Sequence, residues 1–91
     1  MNTYIVTDNP KIKCSTFVDA LLCCGLVTSR AEARKLIVGG GCYVNDIRLV
    51  EDRPISTDDF LHGKYIIMRK GKKTYSMMQF TNVEQFFRAL A

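Results

Sequence analysis

Tryptophan is absent from this chain of 91 residues, proline occurs twice, and the single histidine is His62. A lone histidine with no serine or cysteine nucleophile motif beside it gives an enzyme reading little to stand on, and His62 reads as structural or solvated. No run approaches the roughly 18 consecutive apolar residues that a membrane-crossing helix needs. The opening "MNTYIVTDNP" lacks the basic and apolar regions of a secretory signal. Cysteine is present at Cys14, Cys23, Cys24 and Cys42, but no pair has the C-x-x-C spacing of a zinc ribbon. With neither metal spacing nor a secretory signal, the expectation is four reduced thiols, mostly packed, in a reducing compartment, and no metal or cofactor.

What is there suits one domain with a small core: 47% of residues are hydrophobic. Thirteen Lys and Arg against nine Asp and Glu give a net charge of +4, which favours an acidic partner such as nucleic acid or an anionic membrane.

Residues 1–14 show no clear period and read as a tail, a linker remnant or one edge strand. From Ser15 the pattern sharpens: "STFVDALLCCG" offers a hydroxyl cap at Ser15 or Thr16, apolar Phe17, Leu21 and Cys24 at helical spacing, and Gly25 as terminator. Ser29 and Glu32 form a capping-box pattern for a second helix, whose buried stripe is Ala33, Leu36 and Ile37. So short a connection makes the two helices a hairpin. Gly39, Gly40 and Gly41 release the chain into "CYVNDIRLV", which alternates about an Asn45-Asp46 turn and reads as a β-hairpin. "RPISTDDF" is a loop, in which Asp58-Asp59 caps a turn. "KYIIMRKGKKTYSMMQF" reads as two strands around a basic tip at Lys70-Gly71-Lys72-Lys73. Thr81 and Glu84 suggest a second capping box before Val83, Phe86, Phe87 and Leu90. The class is α+β: a helix hairpin, a small and mostly antiparallel sheet, and a short C-terminal helix.

The triple glycine is not a phosphate loop, because it follows a helix, where the dipole is negative and repels phosphate. Its use is steric: without Cβ atoms the next strand can fold closely onto the helix. Arg30 and Arg34 lie one turn apart beside Lys35, and both guanidinium groups must face solvent. Folding back places Tyr43, Asn45 and Arg48 near that basic edge. Guanidinium forks, an aromatic ring and an amide together suit a phosphate backbone with exposed bases.

The stretch "STFVDALLCCGLVTSRAEARKLIVGGGCYVNDIRLV" closely resembles the helix-hairpin RNA-binding domain first described in ribosomal protein S-four. "EDRPISTDDFLHGKYIIMRKGKKTYSMMQF" is similar to the carboxyl-terminal domain of bacterial-type tyrosyl-tRNA synthetases. The resemblance covers residues 15–80, with 1–14 as tail or linker remnant and 81–91 as an added helix. It implies tRNA binding, of tRNA(Tyr), by Ser29, Arg30, Arg34, Lys35, Tyr43, Asn45 and Arg48, with Lys70, Lys72 and Lys73 as further phosphate contacts. It also implies a parent catalytic domain that joins tyrosine to tRNA with ATP, in the cytoplasm or an organelle such as a mitochondrion. No H-[IV]-G-H or K-M-S-K-S-like sequence occurs in these residues, so this chain alone is expected to bind without catalysing, as a monomer.

Asp46 stands where that family usually has glycine, which questions the tight turn and adds a negative charge near the RNA face. Cys42 replaces the more usual valine or isoleucine. A free-standing ribosome- or rRNA-associated protein of the same fold is the alternative reading. A third reading has Phe86 and Phe87 docking a partner or a second copy, against the simpler expectation that both rings pack on the chain's own sheet.

Overall fold

Apolar spacing in "STFVDALLCC" becomes helix α1, Phe17–Cys23, with Phe17, Val18, Ala20 and Leu21 all buried. The computed structural model describes residues 2–6 and 15–90. Capping of α1 comes from elsewhere in the chain than expected. Thr16 is the N-cap but makes no side-chain cap bond; instead the Val18 amide donates to Asp52 Oδ1 at 3.1 Å. Ser15 donates its hydroxyl to Asp19 Oδ2 at 2.9 Å.

Helix α2 spans Arg30–Val38, with Ser29 as N-cap accepting from the Glu32 amide at 3.1 Å. The return bond reaches one residue further than a capping box requires, since Glu32 Oε1 accepts from the Thr28 amide at 3.3 Å. At the other end the Gly40 amide donates to the Ile37 carbonyl and the Gly41 amide to that of Leu36, the paired bonds of a Schellman motif. Gly40 holds the left-handed position with φ 76°. A Cβ on Gly41 would lie 2.8 Å from Leu36 Cδ1, so glycine is what lets the chain turn back against the helix.

The strands are β1 (Asn2–Val6), β2 (Cys42–Val44), β3 (Ile47–Arg48), β4 (Tyr65–Lys70) and β5 (Thr74–Phe80), in the order β1-β5-β4-β2-β3. All neighbours pair antiparallel except β1 with β5, which are parallel. The part of the N-terminal segment that is described is therefore an edge strand; residues 7–14 lie outside the described residues. Asn45 and Asp46 both have positive φ, 51° and 67°, so the tight turn forms without glycine, between two residue types that tolerate this region.

One face of the sheet supplies Cys42, Val44, Ile66, Met68, Met78 and Phe80 to a core shared with Phe17, Val18 and Leu21 of α1 and Ala33 and Ile37 of α2. The alternate positions, Tyr43, Ile67, Arg69 and Met77 among them, point the other way and stay half-buried.

The cysteine expectation needs correction. Cys23 is disulfide-bonded, while Cys24 and Cys42 are free thiols. Spacing could not reveal this, because a disulfide needs two Cβ atoms brought together in space. Burial pushes the Cys42 thiol up to about 11, with a smaller contribution from Cys24.

The loop after β3 holds a 3-10 turn at Thr57–Asp59. Helix α3, Val83–Leu90, starts one residue later than the Thr81–Glu84 pattern suggested. Asn82 Oδ1 accepts from the Gln85 amide at 2.9 Å, whereas the Thr81 hydroxyl donates to the Val6 carbonyl at 3.2 Å. Phe86 is buried, edge-on to Phe80 at 4.8 Å, and Phe87 stacks edge-on with Phe60 at 5.9 Å. Both rings thus pack within the chain.

Candidate nucleic-acid interface

The basic side chains divide into two sets according to what they touch. Arg30, expected to be free beside Arg34, forms an ion pair with Asp19 of α1. Burial is the largest influence on Asp19 and opposes its ionisation, but hydrogen bonds from Arg30 and Ser15 and the nearby guanidinium charge outweigh it and hold the carboxyl below its usual value. Arg53 grips Asp59 with two bonds, at 2.9 and 2.8 Å, and Asp59 also accepts from the Ser56 amide at 2.8 Å. Burial again opposes ionisation most strongly, and the Arg53 and Ser56 bonds reverse it, so Asp59 too is held low. The carboxylate read as a turn cap does cap the turn. Lys70 Nζ donates to the Leu26 carbonyl at 3.3 Å and lies 3.7 Å from Glu32.

The second set, Arg34, Lys35, Arg48, Lys64, Arg69, Lys72 and Lys73, makes no ion pair with a carboxylate among the described residues. Arg34 and Lys35 are exposed on α2. Arg34 borders an open groove of about 280 Å³ with Ile37, Val38, Val50, Glu51 and Asp52. Lys72 and Lys73 are exposed on the β4–β5 tip. That tip is fastened to the glycine run by the Gly71 amide, which donates to the Gly41 carbonyl at 2.8 Å.

Arg48 and Arg69 belong to a row created by strand register. Tyr43 pairs with Arg48 on one side and Arg69 on the other, and Arg69 pairs with Tyr75. Arg48, Tyr43, Arg69 and Tyr75 therefore form one line across β3, β2, β4 and β5, on the face away from the core. The Arg69 guanidinium carbon lies 3.9 Å from the Tyr43 ring centre and 5.9 Å from that of Tyr75. Arg48 lies 5.7 Å from the Tyr43 ring centre and donates from Nη2 to the Tyr43 hydroxyl at 3.3 Å. That hydrogen bond, then the charge of Arg48 and more weakly those of Arg69 and Lys72, lower the hydroxyl's proton affinity. A Cβ at Gly40 would contact Arg48 Nε at 3.6 Å, so the row's edge abuts the end of α2.

Asn45, expected as an RNA-facing amide, also has partners within the chain. Its Nδ2 donates to the Asp59 carbonyl at 2.7 Å and its Oδ1 accepts from the Ile67 amide at 2.9 Å, so it ties the hairpin turn to the 3-10 turn and to β4. Ser29 serves α2 as its cap. Sequence reading missed Arg69 and Tyr75. The signal was there: both stand three residues from Lys72, at the centre of the basic turn, so a hairpin about that tip must pair them. Among the described residues no group of three His, Cys, Asp or Glu is placed to hold a metal ion, and no helix is long and apolar enough to cross a membrane.

Residues 3–78 match the model of the tyrosine--tRNA ligase SYY-like C-terminal domain family. The chain belongs to that family. Among relatives, the tyrosine--tRNA ligase of Opitutus terrae is 46% identical over 63 residues, 68% of this chain and 15% of that protein. The corresponding figures for the Corynebacterium diphtheriae enzyme are 36% over 78 residues, 85% and 19%. This member of the tyrosine--tRNA ligase C-terminal family thus spans less than a fifth of either relative. Like the fold, the match takes in both the helix hairpin and the strands carrying the cation–aromatic row.

Proposed function

We propose that the chain is the tRNA-binding portion of a tyrosine--tRNA ligase, giving that enzyme affinity and orientation for tRNA(Tyr) while activation of tyrosine with ATP takes place outside these 91 residues. The observation that carries the reading is that, in a chain of this family, the cations without carboxylate partners among the described residues gather, Lys64 apart, on α2, β3, β4 and the β4–β5 tip: Arg34, Lys35, Arg48, Arg69, Lys72 and Lys73. Clustered positive charge on α2, the β2–β3 hairpin and the adjoining β4–β5 tip favours an anionic ligand such as a phosphate backbone.

In this reading Arg34 and Lys35 meet phosphates, since side chains on a helix cannot enter the deep groove of A-form RNA. Lys72 and Lys73 extend the phosphate track along the hairpin tip. Arg30 and Lys70 act first on Asp19, Glu32 and the Leu26 carbonyl, holding the α1–α2 hairpin in the shape that presents Arg34.

The test is titration of tRNA(Tyr) at several salt concentrations. Each phosphate contact contributes a slope of about −0.7 to −0.9 in log affinity against log salt. Arg34→Glu should weaken binding and flatten that slope by roughly one contact or more while leaving the fold intact. Unchanged affinity and slope in a normally folded Arg34→Glu variant would remove α2 from the interface. A parent chain with no measurable affinity for tRNA would refute the function itself.

A further inference from the structure

We infer that the row Arg48–Tyr43–Arg69–Tyr75 binds unpaired nucleotides of RNA by stacking, as a site separate from the phosphate-holding surface of α2. The inference rests on the proposed RNA-binding function and adds to it the kind of nucleotide recognised and the side chains that recognise it.

Four features of the row point to this ligand. First, cation and ring alternate across four strands by register, so they adjoin one another on a sheet rather than on a loop. Second, neither guanidinium has a carboxylate partner among the described residues, and Lys72 adds a third positive charge close enough to act on the Tyr43 hydroxyl. Third, the last ring of the row is accessible: Tyr75 is 38% exposed, with the Arg69 guanidinium carbon 5.9 Å from its centre. Fourth, Arg69 is held by rings and not by hydrogen bonds. Its Nε is buried without an acceptor, and no other atom of its guanidinium has a protein acceptor among the described residues. A guanidinium fixed by stacking, with its outer donors unused, is prepared for an anionic oxygen.

Duplex RNA does not fit this arrangement. Its bases are stacked on one another and present only edges and backbone, whereas exposed rings and guanidinium planes gain most from a base with a free face. Unpaired nucleotides supply both complements at once: a base to lie against Tyr75, and a phosphate to reach Arg69 or Lys72. A partner protein offering acidic side chains would satisfy the cations and leave the accessible ring without a counterpart.

The experiment compares two probes, an oligoadenylate of about 10 nucleotides, within the usual site sizes for single strands, and a blunt RNA duplex without unpaired residues. Each is titrated against the parent chain, Tyr75→Leu, Tyr75→Phe and Arg34→Glu, with thermal melts to establish that every variant is folded. Tyr75→Leu should lose about tenfold in affinity for the single strand, with its salt slope unchanged, and Tyr75→Phe should retain parental affinity. Duplex binding should be the same in all three. Arg34→Glu should weaken the duplex and flatten its salt slope. If folded Tyr75→Leu binds oligoadenylate like the parent while Arg34→Glu still weakens the duplex, the stacking site is refuted and the RNA-binding function stands. Failure of the parent chain to bind either probe or tRNA refutes both.

Discussion

The helix hairpin and the outer face of the sheet carry the same kinds of side chain and use them in opposite ways. Between α1, α2 and the loop that follows β3, arginine meets carboxylate: Arg30 with Asp19, and Arg53 with Asp59. On the outer face, among the described residues, arginine meets tyrosine and no carboxylate. A carboxylate neutralises a guanidinium and uses its directional donors, whereas a ring holds it in place and leaves both charge and donors available. The first region uses cations to make a shape, and the second leaves them available.

The comparison is most severely tested at Phe17, which is fully buried and also lies 4.8 Å beneath the Arg53 guanidinium. Phe17→Ala should cost about 3–5 kcal/mol through the cavity it leaves, seen as a lower urea midpoint. The fraction that remains folded should still bind RNA with parental affinity. Loss of binding in that folded fraction would show that the two regions are coupled.

A smaller effect is expected from Arg30→Ala. It leaves Asp19, whose side chain is only 10% exposed, without its main partner, at a cost of about 1–3 kcal/mol. Asp59→Asn should have an effect of similar size by loosening the Arg53 grip on the 3-10 turn. Neither should change the salt slope of RNA binding by as much as Arg34→Glu does, and a larger change for Arg30→Ala would place Arg30 in the interface after all.

Acid provides a graded version of the same test. Asp19 and Asp59 both have folded-state values below their ordinary ones. Their contribution to stability is therefore fully present above the unfolded carboxylate value of about 3.9, and is lost as pH falls through the lower folded values. Thermal melts from neutral pH down to about pH 2 should show this loss, and Asp59→Asn should lack its share of it. A variant with the same acid sensitivity as the parent would remove Asp59 from the account.

The smallest expected change is at the hairpin tip. Lys72→Ala should alter stability by under about 0.5 kcal/mol, because the side chain is exposed and away from caps and core. Measured at several salt concentrations, its effect on RNA affinity should be modest and follow the salt dependence of a single contact.

The α+β class, both helices of the hairpin, the basic turn and the β2–β3 hairpin were legible in the sequence, because each is specified by local periodicity, caps or turn residues. The Schellman ending of α2 was partly so: three glycines announced a close approach, but only packing showed that Gly41 answers to Leu36. The start of α3 was read one residue early, since Thr81–Glu84 and Asn82–Gln85 are both capping patterns and the Thr81 bond to Val6 selects the second. The candidate site was legible in its residue types more than in its arrangement. Arg34, Lys35, Tyr43 and Arg48 were singled out as an RNA-facing set, and their exposure or lack of carboxylate partners fits that reading without testing it. Arg30, Asn45 and Lys70 have partners 11 to 44 residues away, and no local pattern carries that information.

Local rules of backbone and periodicity thus determined which segments become helix or strand and which side chains are cationic or aromatic. Tertiary structure alone decided which cations are neutralised and which are not, and that Cys23 enters a disulfide while Cys24 and Cys42 stay free. The physical reason is range. A cap or a turn is settled within about four residues of chain, but the charge left on a guanidinium depends on whatever the fold brings within a few ångströms of it.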